Sequence, residues 1–168
     1  MSAASLRNIV LSCFLAAGVS SACADSAQNI TGYWDILDKS GNLDTTIEIY
    51  ESGFVGVLEG RVVKLHRPQD QGAICTACSG ERHNQPILTM KVITDLQWNP
   101  KKNGWYGNGL DPERGWEPRV RLRLEGNELK VCAHYKTDFI CLDKDSWTQR
   151  QTDETFLSSL PDFANPKG

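Results

Sequence analysis

Two cysteines separated by two residues, Cys75 and Cys78, are the side chains in this chain whose types and spacing best suit chemistry. Three chemistries compete for them. A local disulfide would close the Cys75-Thr76-Ala77-Cys78 loop in an oxidising compartment. A metal site would add His66 and His83, giving the two thiols and two imidazoles that tetrahedral zinc accepts, although this spacing fits no standard finger. A thioredoxin-like redox pair requires a helix N-terminus to depress the thiol pKa. Gly72 and Gly80 instead place this pair in a loop between strand-like runs. The disulfide is the expected state, with His66, Cys75, Cys78 and His83 as the metal alternative.

A second pair, Cys132 and Cys141, invites the same question. If Lys136-Thr137 forms a two-residue hairpin turn, the two cysteines stand directly opposite, with Cβ atoms roughly 4.5–5.5 Å apart. They share parity with Lys130 and His134, so the bridge is expected on the wet face, as a structural staple. Four cysteines allow three pairings, and 75–78 with 132–141 follows from this hairpin argument.

Other constellations are weaker. Asp111 and Glu113 are neighbouring carboxylates, but Asp111-Pro112-Glu113-Arg114-Gly115 reads as a turn whose proline presets φ. His134 reads as a solvated histidine. No Gly-x-Ser-x-Gly elbow occurs, so no catalytic residues are assigned and no cofactor is expected. The tryptophans read mainly as core or as barrel-end plugs, with Trp105 or Trp116 able to line a pocket near the loop end.

The elements that position these residues are almost all strands. Trp34 and Ile36 share one face of Thr31–Leu37, and Ile47 and Ile49 share one face of Thr45–Glu51. A two-residue Ser52-Gly53 turn leads into Phe54–Leu65. Ile87–Thr94 and Trp105–Leu110 follow the cysteine loop. Arg119, Arg121 and Arg123 alternate with Val120, Leu122 and Leu124, the pattern of a wall with one wet and one buried face. Leu129–Tyr135, Asp138–Leu142 and Trp147–Gln151 complete the series, followed by at most a short helix near Glu154–Leu160 and a loose Pro-rich end. Short hairpin connections throughout predict an all-β, eight-stranded, antiparallel up-and-down barrel, whose closure removes exposed edges.

The N-terminus reads as an export signal. Arg7 precedes the apolar run Ile9–Val19, and Ala22-Cys23-Ala24 offers small residues for cleavage after Ala24. The rival is acylation of Cys23, but Ser20 stands where a lipoprotein signal takes an apolar residue. The domains are then a signal peptide 1–24, a barrel 25–151 and a tail 152–168. Removing Arg7 takes the formal net charge from −3 to −4, because every acidic residue remains. That acidity argues against nucleic-acid or anionic-membrane partners, and no later run approaches the roughly 20 apolar residues of a membrane helix. Periplasmic or secreted localisation follows.

Several motifs occur in order at suitable spacing: Gly32-x-Trp34, Ile47/Ile49, Ile74-Cys75-x-x-Cys78, Pro86-Ile87-Leu88, Leu110-Asp111-Pro112-x-x-Gly115 and Trp147-Thr148-x-Arg150. Together they resemble the bacterial exported family called domain of unknown function 2147, over roughly Gly32–Gln151. The resemblance implies a lipocalin-like barrel with no assigned reaction. It also implies that Arg150 lies across Trp34 at the closed end. Thr89 departs from the glycine that the family usually carries there.

A non-enzymatic lipocalin-like protein that binds a small apolar or amphipathic molecule is the resulting expectation. The lumen candidates are Trp34, Ile36, Ile47, Ile49, Met90, Trp105, Leu122 and Leu124, joined by Leu88, Val92, Val120 and Val131. The alternatives are a cell-envelope interaction module contacting a protein partner through residues 66–86, or the metal or thiol site at Cys75 and Cys78.

Overall fold

The protein is described here from a computed structural model, which covers residues 26–134 and 140–163. The expected signal segment 1–24, with Cys13 and Cys23, and the Lys136-Thr137 turn lie outside the described residues. Eight strands run in order: β1 Gly32–Leu37, β2 Leu43–Glu51, β3 Val57–Leu65, β4 Lys91–Asn99, β5 Gly104–Gly109, β6 Arg119–Glu125, β7 Glu128–His134 and β8 Asp143–Gln149. Each pairs antiparallel with its neighbour in sequence, and β8 returns to β1 through Trp34↔Gln149 and Asp35↔Thr148. The expected up-and-down barrel is therefore closed.

Register follows hydrophobic alternation where that alternation is clean. Val120, Leu122 and Leu124 of β6 stand opposite Ala133, Val131 and Leu129 of β7, all facing inward. Arg121 and Cys132 pair on the outer face. In β3 the ambiguity between faces resolves because Ile47 pairs with Val62 and Ile49 with Gly60. That sends Glu59 and Arg61 outward, where they meet Tyr50 and Glu48.

Several boundaries differ from the expectation, and β4 also runs on to Asn99, past the expected Thr94. β3 begins at Val57, because Ser52 and Phe54 build a five-residue connection in which Ser52 N donates to Val57 O at 2.9 Å and Val57 N to Phe54 O at 3.2 Å. β4 begins at Lys91: Ile87–Met90 is a turn in which Met90 N donates to Ile87 O and Thr89 adopts φ +73°. The last strand is one element, Asp143–Gln149, in place of two short ones.

Up-and-down order puts the β2–β3, β4–β5 and β6–β7 turns at one end of the barrel and the remaining connections at the other. The first end is packed solid. Trp34, Ile49, Leu96, Leu122 and Leu129 are essentially inaccessible there. The segment preceding β1 plugs it. Gln28 clamps Leu124 through both its amide groups, at 3.2 Å and 3.1 Å. Trp105 Nε1 donates to Gln28 O and Trp34 Nε1 to Ile30 O, each at 2.9 Å. Gly32, at φ +120°, lets the chain turn from this plug into β1.

Beyond β8 the expected short helix forms and is docked on the barrel, while residues 164–168 of the Pro-rich end lie outside the described residues. Helix α1 (Glu154–Ser158) is capped by Asp153, whose side chain accepts from Phe156 N at 2.7 Å. Phe156 is buried edge-on against Tyr33, with ring centres 5.1 Å apart. Lys64 Nζ donates to Ser159 Oγ at 2.9 Å, and the Arg61 guanidinium covers the Phe163 ring.

Candidate functional site

The other end of the barrel is hollow. A cavity of about 830 Å³ opens to solvent there, within the range of roughly 300–1,000 Å³ that holds small molecules. Its inner wall is apolar, formed by Ile36, Ile47, Val62, Val120 and Val131. These are the inward positions of β1, β2, β3, β6 and β7, so strand periodicity alone aims them into the lumen.

The inner face of β8 is different. Asp143, Asp145 and Trp147 stand opposite Ala133, Val131 and Leu129 and line the cavity. Asp145 Oδ2 accepts from Trp147 Nε1 at 2.8 Å, and its Oδ1 accepts from Ser146 N at 2.8 Å. No cationic side chain among the described residues pairs with Asp145.

Charged residues ring the mouth. Arg67 is held by three carboxylates: Asp44 at 2.7 Å, Asp70 at 2.5 Å and Glu113 at 3.0 Å. The Asp70 and Glu113 hydrogen bonds, with Asp44 beside them, push the guanidinium pKa further up. Burial pushes the Asp44 carboxyl up, against the pull of Arg67. Asp38 Oδ1 accepts from Ser40 N and Asn42 N, each at 2.8 Å, and these bonds, led by that of Asn42, hold its carboxyl below the usual range.

The cysteine segment forms the cap over this end. Ile74 and Pro86 bridge, while Cys75 N donates to Gln85 O and Ile87 N to Ala73 O, each at 2.9 Å. Cys75 and Cys78 are joined in a disulfide with Cα atoms 5.4 Å apart. Ala73, Ile74, Thr76 and Ile87 of this cap line the cavity. The turn after β5 packs onto it closely enough that a Cβ on Gly115, at φ +62°, would meet Ala77 O at 2.0 Å. Asp111 belongs to that turn, its Oδ1 accepting from Glu113 N at 3.0 Å and Arg114 N at 3.2 Å.

Over residues 32–149 the chain matches the family described as "Uncharacterized protein conserved in bacteria (DUF2147)". The chain belongs to this family. A solved structure described as "Protein HP1028 from the human pathogen Helicobacter pylori belongs to the lipocalin family" is similar to this DUF2147 protein at a TM-score of 0.63 and 15% identity, covering 80% of this chain and 92% of that one. At that identity the likeness establishes the lipocalin-like fold. No curated protein matches the chain in sequence.

In this DUF2147 barrel the expected lumen residues divide between the two halves. Ile36 and Ile47 line the cavity, as do Val92, Val120 and Val131. Trp34, Ile49, Met90, Trp105, Leu122 and Leu124 do not; they pack in the core, and Leu88 is likewise absent from the wall. Alternation identified the inward face, but position along the barrel axis decides between floor and cavity. Sequence reasoning misses the acidic β8 ladder because it pairs Asp138–Leu142, and not Asp143–Gln149, with Leu129–Tyr135. Its signal is the alternation Asp143-x-Asp145-x-Trp147 itself.

The metal alternative does not assemble. Both sulfurs are in the disulfide, His83 Nδ1 lies 3.0 Å from Cys78 O, and His66 Nε2 lies 2.8 Å from Thr46 Oγ1 on the outer wall. Cys132 and Cys141 are bonded as expected, but by a different route. Cys132 stands opposite Lys144, so Cys141 lies outside the ladder, with Cα atoms 5.4 Å apart. His134 is buried, in contrast to the solvated side chain expected.

Arg150 does not lie across Trp34. Its Nε donates to Asp35 Oδ1 at 2.7 Å, and its guanidinium sits 4.8 Å from the Phe156 ring centre. Thr46 Oγ1 donates to the same Asp35 oxygen at 2.7 Å. Its single proton is thereby used, so Thr46 accepts from His66 Nε2–H. This Asp–Thr–His chain has the residue types of a nucleophile relay, yet Thr46 is wholly inaccessible. Through Asp35 the chain is tied to Arg150, whose guanidinium packs against Phe156 of α1.

Proposed function

We propose that this protein is a non-enzymatic, exported lipocalin-like carrier, holding a small amphipathic molecule in the hollow half of its barrel. The observation that carries this reading is the 830 Å³ cavity, apolar along its walls and charged at its mouth. Each 100 Å² of that wall covered by a ligand is worth about 2.5 kcal/mol, before the costs of association. The solid floor supports the same reading, since it stops a ligand passing through and fixes how deeply it inserts.

Export rests on the signal-like N-terminus and on two disulfides, which persist in oxidising compartments. Among the described residues no helix is long and apolar enough to cross a membrane. The non-enzymatic assignment rests on the sequence, which carries no Gly-x-Ser-x-Gly elbow, and on the one triad-like chain, Asp35–Thr46–His66, having its hydroxyl wholly buried.

Native mass spectrometry of protein purified from the cells that produce it tests the proposal. A bound species of a few hundred daltons, released on unfolding, is expected. Ligand-free protein that also fails to take up any added amphiphile would contradict it.

A further inference from the structure

We infer that the cavity selects amphiphiles with a cationic head, an ammonium or guanidinium group seated beside Asp145. This rests on the reading of the cavity as a ligand site and goes beyond it in assigning the sign of the ligand's charge.

Seven carboxylates and three cations line the cavity, an excess of four negative charges. The arginines are already engaged. Arg67 is shared among three carboxylates, and Arg114 reaches Asp111 at 3.2 Å and Asp143 at 3.4 Å. Only Lys39, on the β1–β2 turn at the rim, carries no ion pair among the described residues. An anionic head would therefore have to displace an existing ion pair or stay at the rim. A cation meets the opposite situation.

Asp145 lies below the rim on the inner wall, between Asp143 and Trp147, and has hydrogen-bond donors but, among the described residues, no counter-ion. It is exposed to solvent, so a ligand head entering the cavity can reach it. Trp147 beside it adds a π surface, and a carboxylate adjoining an indole is a pairing suited to ammonium groups. Accepting the indole N–H also holds the carboxylate against the wall, so it does not have to be ordered when a ligand arrives. The apolar side chains of Ile36, Ile47 and Val131 lie around it for the ligand's hydrocarbon part.

Calorimetric titration with three probes of equal chain length tests this: decyltrimethylammonium, decanoate and neutral decyl glucoside, each below its micellar concentration. Near neutral pH the cation should bind at least about tenfold more tightly than decanoate, the scale of one charge pair at partly screened contact. Added salt should narrow the gap. Asp145→Asn, which keeps an acceptor for Trp147 Nε1, should remove most of the preference for the cation over decanoate.

Equal or tighter binding of decanoate, or an Asp145→Asn protein with undiminished cation affinity, would overturn the charge assignment while leaving the cavity as a ligand site. Failure of all three probes to bind would overturn the ligand-site reading itself, and the charge assignment with it.

Discussion

Trp147 Nε1 donates to Asp145 Oδ2 across 2.8 Å, joining the one tryptophan on the inner face of β8 to a carboxylate that has no counter-ion among the described residues. The indole N–H that a buried tryptophan must satisfy is here bonded to an exposed acid on the cavity wall. Strand alternation alone puts the two residues on one face. Their position two residues apart fixes the contact to the wall of the cavity and not to its floor.

Trp147 should therefore report occupancy. Trp34 and Trp105 are sealed in the floor by their bonds to Ile30 and Gln28. Trp116 also lines the cavity. Binding of decyl glucoside is expected to change tryptophan fluorescence, and Trp147→Phe with Trp116→Phe to abolish most of that change. A larger loss in Trp105→Phe than in Trp147→Phe would place the ligand elsewhere.

Thr89 holds φ +73° on an exposed turn, a conformation that β-branched residues adopt only under strain. Relief of that strain, less the added freedom of glycine in the unfolded chain, makes Thr89→Gly stabilising by about 1 kcal/mol. Urea denaturation should show a higher midpoint at unchanged slope. A lower midpoint would mean that Thr89 makes contacts outweighing its backbone cost.

The two disulfides should contribute by loop length. Closing the four-residue Cys75–Cys78 loop is worth about 2 kcal/mol and the ten-residue Cys132–Cys141 loop nearly 3 kcal/mol on chain-entropy grounds. Cys132→Ala/Cys141→Ala should accordingly lower stability more than Cys75→Ala/Cys78→Ala. The 75–78 variant should lose more ligand affinity, because only that bridge lies in the cap. Reversal of the affinity order would detach the cap from binding.

His66 gives the fold an acid sensitivity. Burial, reinforced by the positive charge of Arg150 and partly opposed by Asp35, holds its pKa below the ordinary 6.5. The unfolded chain then takes up the proton first. Stability is full above pH 6.5 and falls as pH drops from there toward the depressed folded value. Compared with His66→Gln, which retains a donor to Thr46, the wild-type protein should lose ground over that interval in urea midpoints. A constant difference across it would contradict this role.

Much of the architecture is legible in the chain because its signals are local. The Arg119–Glu125 alternation and the Gly126-Asn127 turn fix β6 and β7 almost to the residue. Legibility fails where a distant contact outweighs local pattern. The apolar run at Ile87 reads as strand, yet hydrogen bonds to the cap fold it into a turn. Cysteine spacing suggested a two-residue hairpin, but a disulfide needs only a short Cα separation, which Cys141 reaches from outside the ladder. Arg150 is charged and mobile enough to reach either face of the wall, and it goes to Asp35 outside.

The central claim, that a ligand enters the hollow half and stops at the packed floor, is most directly tested by methyl and indole NMR shifts during decyl glucoside titration. The expected result is saturable shifts at Ile36, Ile47, Val131 and Trp147, with Trp34, Ile49 and Leu122 unmoved. Shifts confined to the exposed Phe54–Val55 tip or to α1, or none at any concentration below the micellar point, would contradict it.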